Sequence, residues 1–249
     1  MYSNISGLKI YYQEAGAGKN LIMLHGWKHD VSSFWGVIPL LKDRFKVWLI
    51  DLPGFGRSDL PSKAFTASDY AEVIKDFIEV NKIKDPILLG HSLGGRVAIK
   101  LASKYPKLID KLILEDSAGI KPNKDFFKAF IYPFAKAFHY FMPNLLNIKN
   151  KLRYNFYKSL ESDYVNAGKL KDTLTNILAE DLTNDLKDIK AMTLLIWGEK
   201  DATSEASLKH GKRMYRMIHN SKIEIFDGVG HSPHLEKPEL FSYYVKDFS

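Results

Sequence analysis

The sequence predicts an α/β fold: a mostly parallel sheet with helices on both faces, interrupted by an inserted helical segment. Three observations carry this. Short, continuous apolar runs recur at Leu21–Leu24, Phe45–Ile50, Ile87–Leu89, Leu108–Glu115 and Thr193–Gly198, as strands covered on both faces require. Stretches with helical spacing separate them, so the chain reads strand, helix, strand, helix. The rhythm stops between Lys121 and about Lys190 and then resumes. The expected division is a sheet domain built from residues 1–120 and 191–249, with residues 121–190 inserted.

In chain order, Ile5–Glu14 alternates loosely and reads as one strand entering a hairpin, with a turn at Glu14–Lys19. Leu21–Leu24 follows and ends in His25-Gly26-Trp27. Val31–Leu41 has helical spacing, with Phe34, Trp35 and Ile38 on one side. Phe45–Ile50 leads into Asp51–Asp59, a segment dense in turn formers in which Asp51 and Arg57 are expected to pin the loop by a charge-assisted bond. Thr66–Asn81 is an amphipathic helix, with Thr66 or Ser68 as its N-cap and Tyr70, Val73, Ile74, Phe77 and Ile78 on its apolar face. After the Ile87–Leu89 strand, Arg96–Ala102 is helical again, and Leu108–Glu115 is the next strand, leading to Asp116.

The inserted stretch contains no convincing buried strand. It is helical in pattern and aromatic at its start, with Phe126, Phe130, Phe134 and Phe138, and is punctuated by Pro133 and Pro143. After Thr193–Gly198 come a helix over about Ser204–Ile218, a strand at Lys222–Phe226, a loop at Asp227–Pro233 and a last helix near Pro238–Asp247.

The 249 residues contain no cysteine, which excludes disulfides, zinc–thiolate sites and a cysteine nucleophile. The N-terminus lacks a basic region followed by an apolar run, and no apolar stretch approaches the ~20 residues of a membrane span. A cytoplasmic protein is the expectation. The net charge of +7 comes from scattered lysines, as on a solvated surface; an acidic partner is the functional alternative. No zinc finger, RNP sequence or basic arm points to nucleic acid.

The chemistry centres on Gly90-His91-Ser92-Leu93-Gly94, a G-x-S-x-G pattern between a strand and a helix. In that setting the serine sits at the apex of a sharp turn, and the glycines remove side chains that would collide there. The helix start behind Ser92 aims backbone N–H groups at the reacting centre. Serine needs a base to take its proton, and the base needs an orienting acid. Asp201 lies just past the Thr193–Gly198 strand, and His231 just past Lys222–Phe226, both where loops leave strand ends. Glu199 and Asp116 stand as alternatives for the acid, and His234 for the base. His25 and His91 flank the site as structural hydrogen-bonding residues, and Glu236 is expected to brace the His231 loop.

Four segments together resemble the α/β-hydrolase superfamily: His25-Gly26-Trp27, Asp51 to Ser58, Gly90 to Gly95, and Gly230-His231 followed by Glu236. The resemblance spans nearly the whole chain. It implies an α/β-hydrolase fold, the Ser92, Asp201 and His231 triad, and an oxyanion hole formed by the amides of Trp27 and Leu93. It implies no metal and no organic cofactor. It also implies that residues 121–190 form a helical cap, with Phe126, Phe130, Phe134 and Phe138 lining an acyl pocket.

The expected activity is hydrolysis of small to medium apolar carboxylic esters through an acyl-enzyme. Serine at the nucleophile argues against the relatives that displace at saturated carbon, which use aspartate. The His25 and Asp51 segments also look like those of carrier-protein methyl ester esterases, whose basic cap receives an acidic carrier protein. Lys121, Lys124, Lys128, Lys136, Lys149, Lys151, Arg153 and Lys158 would supply that charge here, although His91 replaces the tryptophan typical of that family's turn. Meta-cleavage-product hydrolases, which cut carbon–carbon bonds, share the triad but carry a glycine-rich oxyanion loop that Trp27-Lys28-His29 does not match. A non-catalytic ligand-binding member of the fold is the remaining reading.

Overall fold

The computed structural model describes residues 1–121, 168–203 and 206–249. Its strands are β1 (Tyr2–Ile5), β2 (Leu8–Ala15), β3 (Lys19–Leu24), β4 (Phe45–Ile50), β5 (Ile87–His91), β6 (Lys111–Glu115), β7 (Met192–Gly198) and β8 (Ser221–Phe226). They form one eight-stranded sheet in the order β1-β2-β4-β3-β5-β6-β7-β8. β1 and β2 pair antiparallel and β2 meets β4 antiparallel, while β3 to β8 run parallel.

The register decides where function can sit. Leu24 lies opposite Gly90, Gly90 opposite Leu114, Glu115 opposite Ile196, and Gly198 opposite Phe226. The parallel strands therefore end along one edge of the sheet, and the loops carrying His25, Ser92, Asp116, Asp201 and His231 leave from that edge.

The described helices are α1 (Ile38–Leu41), α2 (Ala67–Val80), α3 (Leu93–Lys104), α4 (Lys171–Ala179), α5 (Thr183–Asp188), α6 (Leu208–Met217), α7 (Pro233–Glu236) and α8 (Pro238–Phe248). They cover both faces of the sheet. Strand residues alternate between two cores, which is why the runs read as continuously apolar. Ile22, Leu24, Leu88, Leu112, Leu114 and Leu195 pack with Tyr70, Phe77, Val97, Leu101 and Leu186 on one face. Leu21, Met23, Leu89, Ile113 and Leu194 pack with Phe34, Leu41, Phe241 and Val245 on the other.

Two elements differ from the sequence reading. The single strand expected over Ile5–Glu14 is a hairpin. Ser6 (φ 49°) and Gly7 (φ 83°) both take positive φ, the signature of a primed two-residue turn, so β1 precedes them. The helix expected over Val31–Leu41 is split. Asp30 caps a 3₁₀ turn at Val31–Phe34 by accepting the Ser32 N–H, and α1 restarts with Pro39 in its first turn. By contrast, α2 opens with the capping expected of Thr66, whose hydroxyl takes the Asp69 N–H while Asp69 takes the Thr66 N–H.

Residues 168–190 of the inserted stretch lie on the sheet domain. Leu182 N–H donates to the Gly119 carbonyl at 2.8 Å, Lys100 pairs with Asp185 at 2.8 Å, and Phe65 N–H donates to Thr173 Oγ1 at 3.0 Å. Leu170, Ile177 and Leu186 join the α2/α3 core. Phe126, Phe130, Phe134, Phe138 and the lysines from Lys124 to Lys158 lie outside the described residues. Among the described residues no helix is long and apolar enough to cross a membrane.

Candidate active site

Ser92 stands between β5 and α3 with φ 51° and ψ −108°. A non-glycine residue held in this region stores about 1–3 kcal/mol, a strain that the surroundings must impose. Three backbone bonds impose it. Ser92 N–H donates to Glu115 O at 3.1 Å, and Ser92 O accepts from Arg96 at 3.2 Å and Ala118 at 3.3 Å. The turn also needs a backbone approach that only glycine allows: a Cβ on Gly94 would stand 2.2 Å from the Leu24 carbonyl oxygen. Leu93 opens α3, so its amide is among the first-turn N–H groups that have no partner within the helix. Gly94 N–H donates to His25 O at 3.1 Å, which ties the loop carrying Trp27 to the Ser92 turn.

That loop is built on a neutral histidine. Leu52 N–H donates to His25 Nε2 at 3.0 Å, so the ring proton is on Nδ1 and reaches Gly26 O at 2.8 Å. Burial pushes the His25 pKa down to about 4. Asp51 holds the next loop, but not through the guanidinium the sequence suggested. Its carboxylate takes the backbone N–H groups of Val31 at 2.7 Å and Arg57 at 2.8 Å, while the Arg57 side chain reaches the Tyr11 hydroxyl at 3.1 Å and covers the Tyr11 ring. Trp27 is half-buried, with its ring edge-on to Phe55 at 5.0 Å.

His91, the residue before Ser92, reaches across the site. Its Nε2–H donates to the backbone carbonyl of His231 at 2.8 Å. Its ring lies close against Gly26, where a Cβ would come 2.9 Å from His91 Nδ1. Burial, and then the neighbouring His234 and His231 rings, push its pKa well below the usual histidine value. His91 therefore serves as a neutral strut between the serine turn and the His231 loop.

His231 and Asp201 meet as the loops after β8 and β7 converge. His231 Nδ1–H donates to Asp201 Oδ2 at 2.8 Å. The Asp201 side chain is 0% exposed and that of His231 31% exposed, so the acid is sealed and the imidazole faces outward. Burial alone would raise the Asp201 pKa. The His231 hydrogen bond and charge, together with the Thr203 amide at 2.8 Å, outweigh it and hold the carboxyl below its ordinary range. With Nδ1 committed as donor, Nε2 keeps its lone pair and can accept a proton. Glu236 fixes this loop by taking the Gly230 N–H at 3.0 and 3.1 Å. Glu199 takes the Gly228 N–H at 2.9 Å on the surface, away from the imidazole.

His234 is engaged elsewhere. Its Nδ1–H and its backbone N–H both donate to Glu115 Oε1, at 2.7 and 2.8 Å, with both side chains fully buried. Sequence reasoning read Glu115 only as a strand end. The available signal was a charged residue closing an otherwise apolar strand, where burial demands a partner. Asp116, the next residue, is also buried and accepts the Gly198 N–H at 3.1 and 3.2 Å. Among the described residues, one group of carboxylate and imidazole atoms draws close enough to interest a metal ion, that of Asp116, Asp201 and His231, all within 4.8 Å. Its His231 and Asp201 atoms are already bonded to each other.

Residues 21–242 match the alpha/beta hydrolase family. The pimeloyl-[acyl-carrier protein] methyl ester esterase of Wigglesworthia glossinidia brevipalpis is 28% identical, covering 96% of this chain and 98% of that protein. The 2-hydroxy-6-oxo-6-phenylhexa-2,4-dienoate hydrolase of Comamonas testosteroni is 26% identical, covering 98% of this chain and 92% of that protein. Among solved structures, an esterase from Exiguobacterium antarcticum superposes with a TM-score of 0.78 at 23% identity, covering 100% of this chain and 98% of its own, a likeness of fold.

Proposed function

Because this chain belongs to the alpha/beta hydrolase family, we propose that it is a serine hydrolase that cleaves carboxylic esters of small to medium apolar acyl groups. The observation that carries this is the His231–Asp201 bond at 2.8 Å, on the same sheet edge as a strained, partly exposed Ser92. His231 Nε2 takes the Ser92 hydroxyl proton as Oγ bonds to the substrate carbonyl carbon. Asp201 holds the imidazole tautomer and stabilises the imidazolium that forms. The amides of Trp27 and Leu93 receive the oxyanion; a donor of this kind contributes about 3 kcal/mol to the transition state. The tetrahedral intermediate collapses, the carbon–oxygen bond to the alcohol breaks, and His231 returns the proton to that alcohol. Water then repeats the sequence on the acyl-enzyme and frees the carboxylic acid and Ser92. No step calls on a metal or an organic cofactor.

Residues 121–190 are the proposed cap. The chain leaves the sheet domain after Ile120, beside the Ser92 turn, and returns through α4, whose Thr173 Oγ1 takes the Phe65 N–H. Phe126, Phe130, Phe134 and Phe138 are the proposed acyl contacts. An acidic carrier protein bearing the acyl group is an optional partner, supported by the net charge of +7 and by the similarity to an esterase of that kind.

The test is turnover of p-nitrophenyl butyrate. Ser92→Ala should lower kcat/KM by about 10⁴–10⁶ while leaving the circular dichroism spectrum unchanged. Wild-type-like hydrolysis by the variant contradicts the proposal. Run in parallel, a vinylogous diketone cleaved faster than any ester would reassign the activity to carbon–carbon bond hydrolysis. A carrier-bound methyl ester hydrolysed faster than the free one, with the advantage lost at high salt, would identify the carrier as partner.

A further inference from the structure

The triad reading leaves the buried acid Asp116 unused. Asp116 is the first residue past β6. Its amide crosses to β7 and donates to Ile196 O at 3.0 Å, and its φ of 36° lies in a region that non-glycine residues rarely enter. Its side chain, fully removed from solvent, meets the Gly198 N–H, which closes β7 three residues before Asp201. A carboxyl oxygen of Asp116, one of Asp201 and a ring nitrogen of His231 all lie within 4.8 Å of one another.

Two buried carboxyls this close repel when both are ionised, which favours a proton on one of them, and the surroundings decide which. Asp201 has the His231 ring and the Thr203 amide as donors. Asp116 has the Gly198 amide, and the negative charges of Glu115 on its own strand and Asp201 on the neighbouring loop both bear on it. We propose that Asp116 is a positioning residue: a neutral carboxylic acid that donates its proton, as a hydrogen bond, to the Asp201 carboxylate.

The proposal deepens the Ser92–Asp201–His231 reading and rests on it. Burial, followed by the charges of Glu115 and Asp201, pushes the Asp116 pKa up to about 10, which is consistent with a proton held across the working range. The donated bond restrains the plane of the Asp201 carboxylate and lowers its basicity, and so sets how strongly it holds the His231 imidazolium. Asp116 is thus the donor to the acid of the triad and not a substitute for it.

Asparagine is the isostere of the neutral acid, since its amide N–H can replace the carboxyl O–H. The readout is the His231 imidazole pKa, followed by NMR in wild type, Asp116→Asn and Asp116→Ala. It needs no substrate and therefore stands apart from the turnover test of Ser92. The proposal expects no change in Asp116→Asn and a rise of about one pH unit in Asp116→Ala, because an Asp201 stripped of its donor binds the imidazolium more tightly. The acid limb of kcat/KM should move the same way. A fall in Asp116→Asn, the result of deleting a negative charge, overturns it, as does the absence of a rise in Asp116→Ala. If Asp116→Ala does not fold, the infrared difference between wild type and Asp116→Asn at neutral pH decides. A protonated-carboxyl stretch present only in wild type supports the assignment, and its absence overturns it.

Discussion

Among the described residues, two histidine–carboxylate pairs have imidazoles three residues apart, and the contrast between them is instructive. His231 bonds Asp201 at 2.8 Å and His234 bonds Glu115 at 2.7 Å, so the bonds are nearly equal. The imidazole of the first pair is 31% exposed, while that of the second is 0% exposed and packs on Phe34 and Phe241. The first pair links loops after β7 and β8, beside the serine turn. The second nails α7 to the end of β6. Chemistry needs an imidazole that can exchange a proton with a molecule outside the fold, and sealing it turns the same pair into a fastener. The residue types do not distinguish the two pairs, but access does.

Substitutions should separate the pairs cleanly. His231→Ala is expected to lower kcat on the order of 10⁴-fold or more, with unfolding by urea little changed. His234→Ala should do the reverse. It strands a buried Glu115 carboxylate, a mechanism that costs about 3–5 kcal/mol, and whatever folds should keep kcat within a few-fold of wild type. Denaturation midpoints and kcat, measured on both variants, check this; matching losses in both would erase the distinction.

The buried imidazoles also set an acid limit on stability. An unfolded histidine titrates near pH 6.5, while folded His25 stays neutral down to about pH 4. Between those values the unfolded chain binds the extra proton, so stability is present above the window and is lost as pH falls through it. For His25 alone the loss from pH 7 to pH 5 is about 2 kcal/mol, and His91, shifted the same way, adds to it. Urea titrations at both pH values test this, with His25→Asn expected to flatten the dependence. Asp116 has the opposite sign. Folded, it holds a proton to about pH 10, whereas unfolded it ionises near 3.9, so wild type should lose stability relative to Asp116→Asn as pH rises, by at most about 1.4 kcal/mol per unit. A difference that stays flat from pH 6 to 9 counts against the protonated acid.

What was legible in the sequence follows the range of the interactions involved. The Ser92 turn is written in five consecutive residues: Gly90 is demanded within the turn by the Gly94 carbonyl, while Gly94 makes room for the Leu24 carbonyl of β3. The His231 loop is likewise announced by its own Gly230 and Glu236. The parallel order was legible because two-sided burial makes the central runs Leu21–Leu24, Ile87–Leu89, Leu112–Leu114 and Leu194–Trp197 apolar throughout. The hairpin at Ser6-Gly7 was missed because the alternation continues across a turn of only two residues. The pairing of Glu115 with His234, and the approach of Asp116 to Asp201, depend on register across β6, β7 and β8, which no local pattern encodes. The Asp51–Arg57 contact was misread for a related reason: the segment holds both residues, but the carboxylate chose the backbone.

The central claim is that the His231–Asp201 pair, and not His234–Glu115, activates Ser92. The most direct test is the rate at which a fluorophosphonate labels the protein, followed by intact mass in wild type, His231→Ala and the conservative Glu115→Gln. A single adduct mapping to Ser92 is expected. Labelling should slow by about 10³-fold or more in His231→Ala and remain within a few-fold of wild type in Glu115→Gln. An adduct on another residue, or His231→Ala labelling as fast as wild type, would contradict the account.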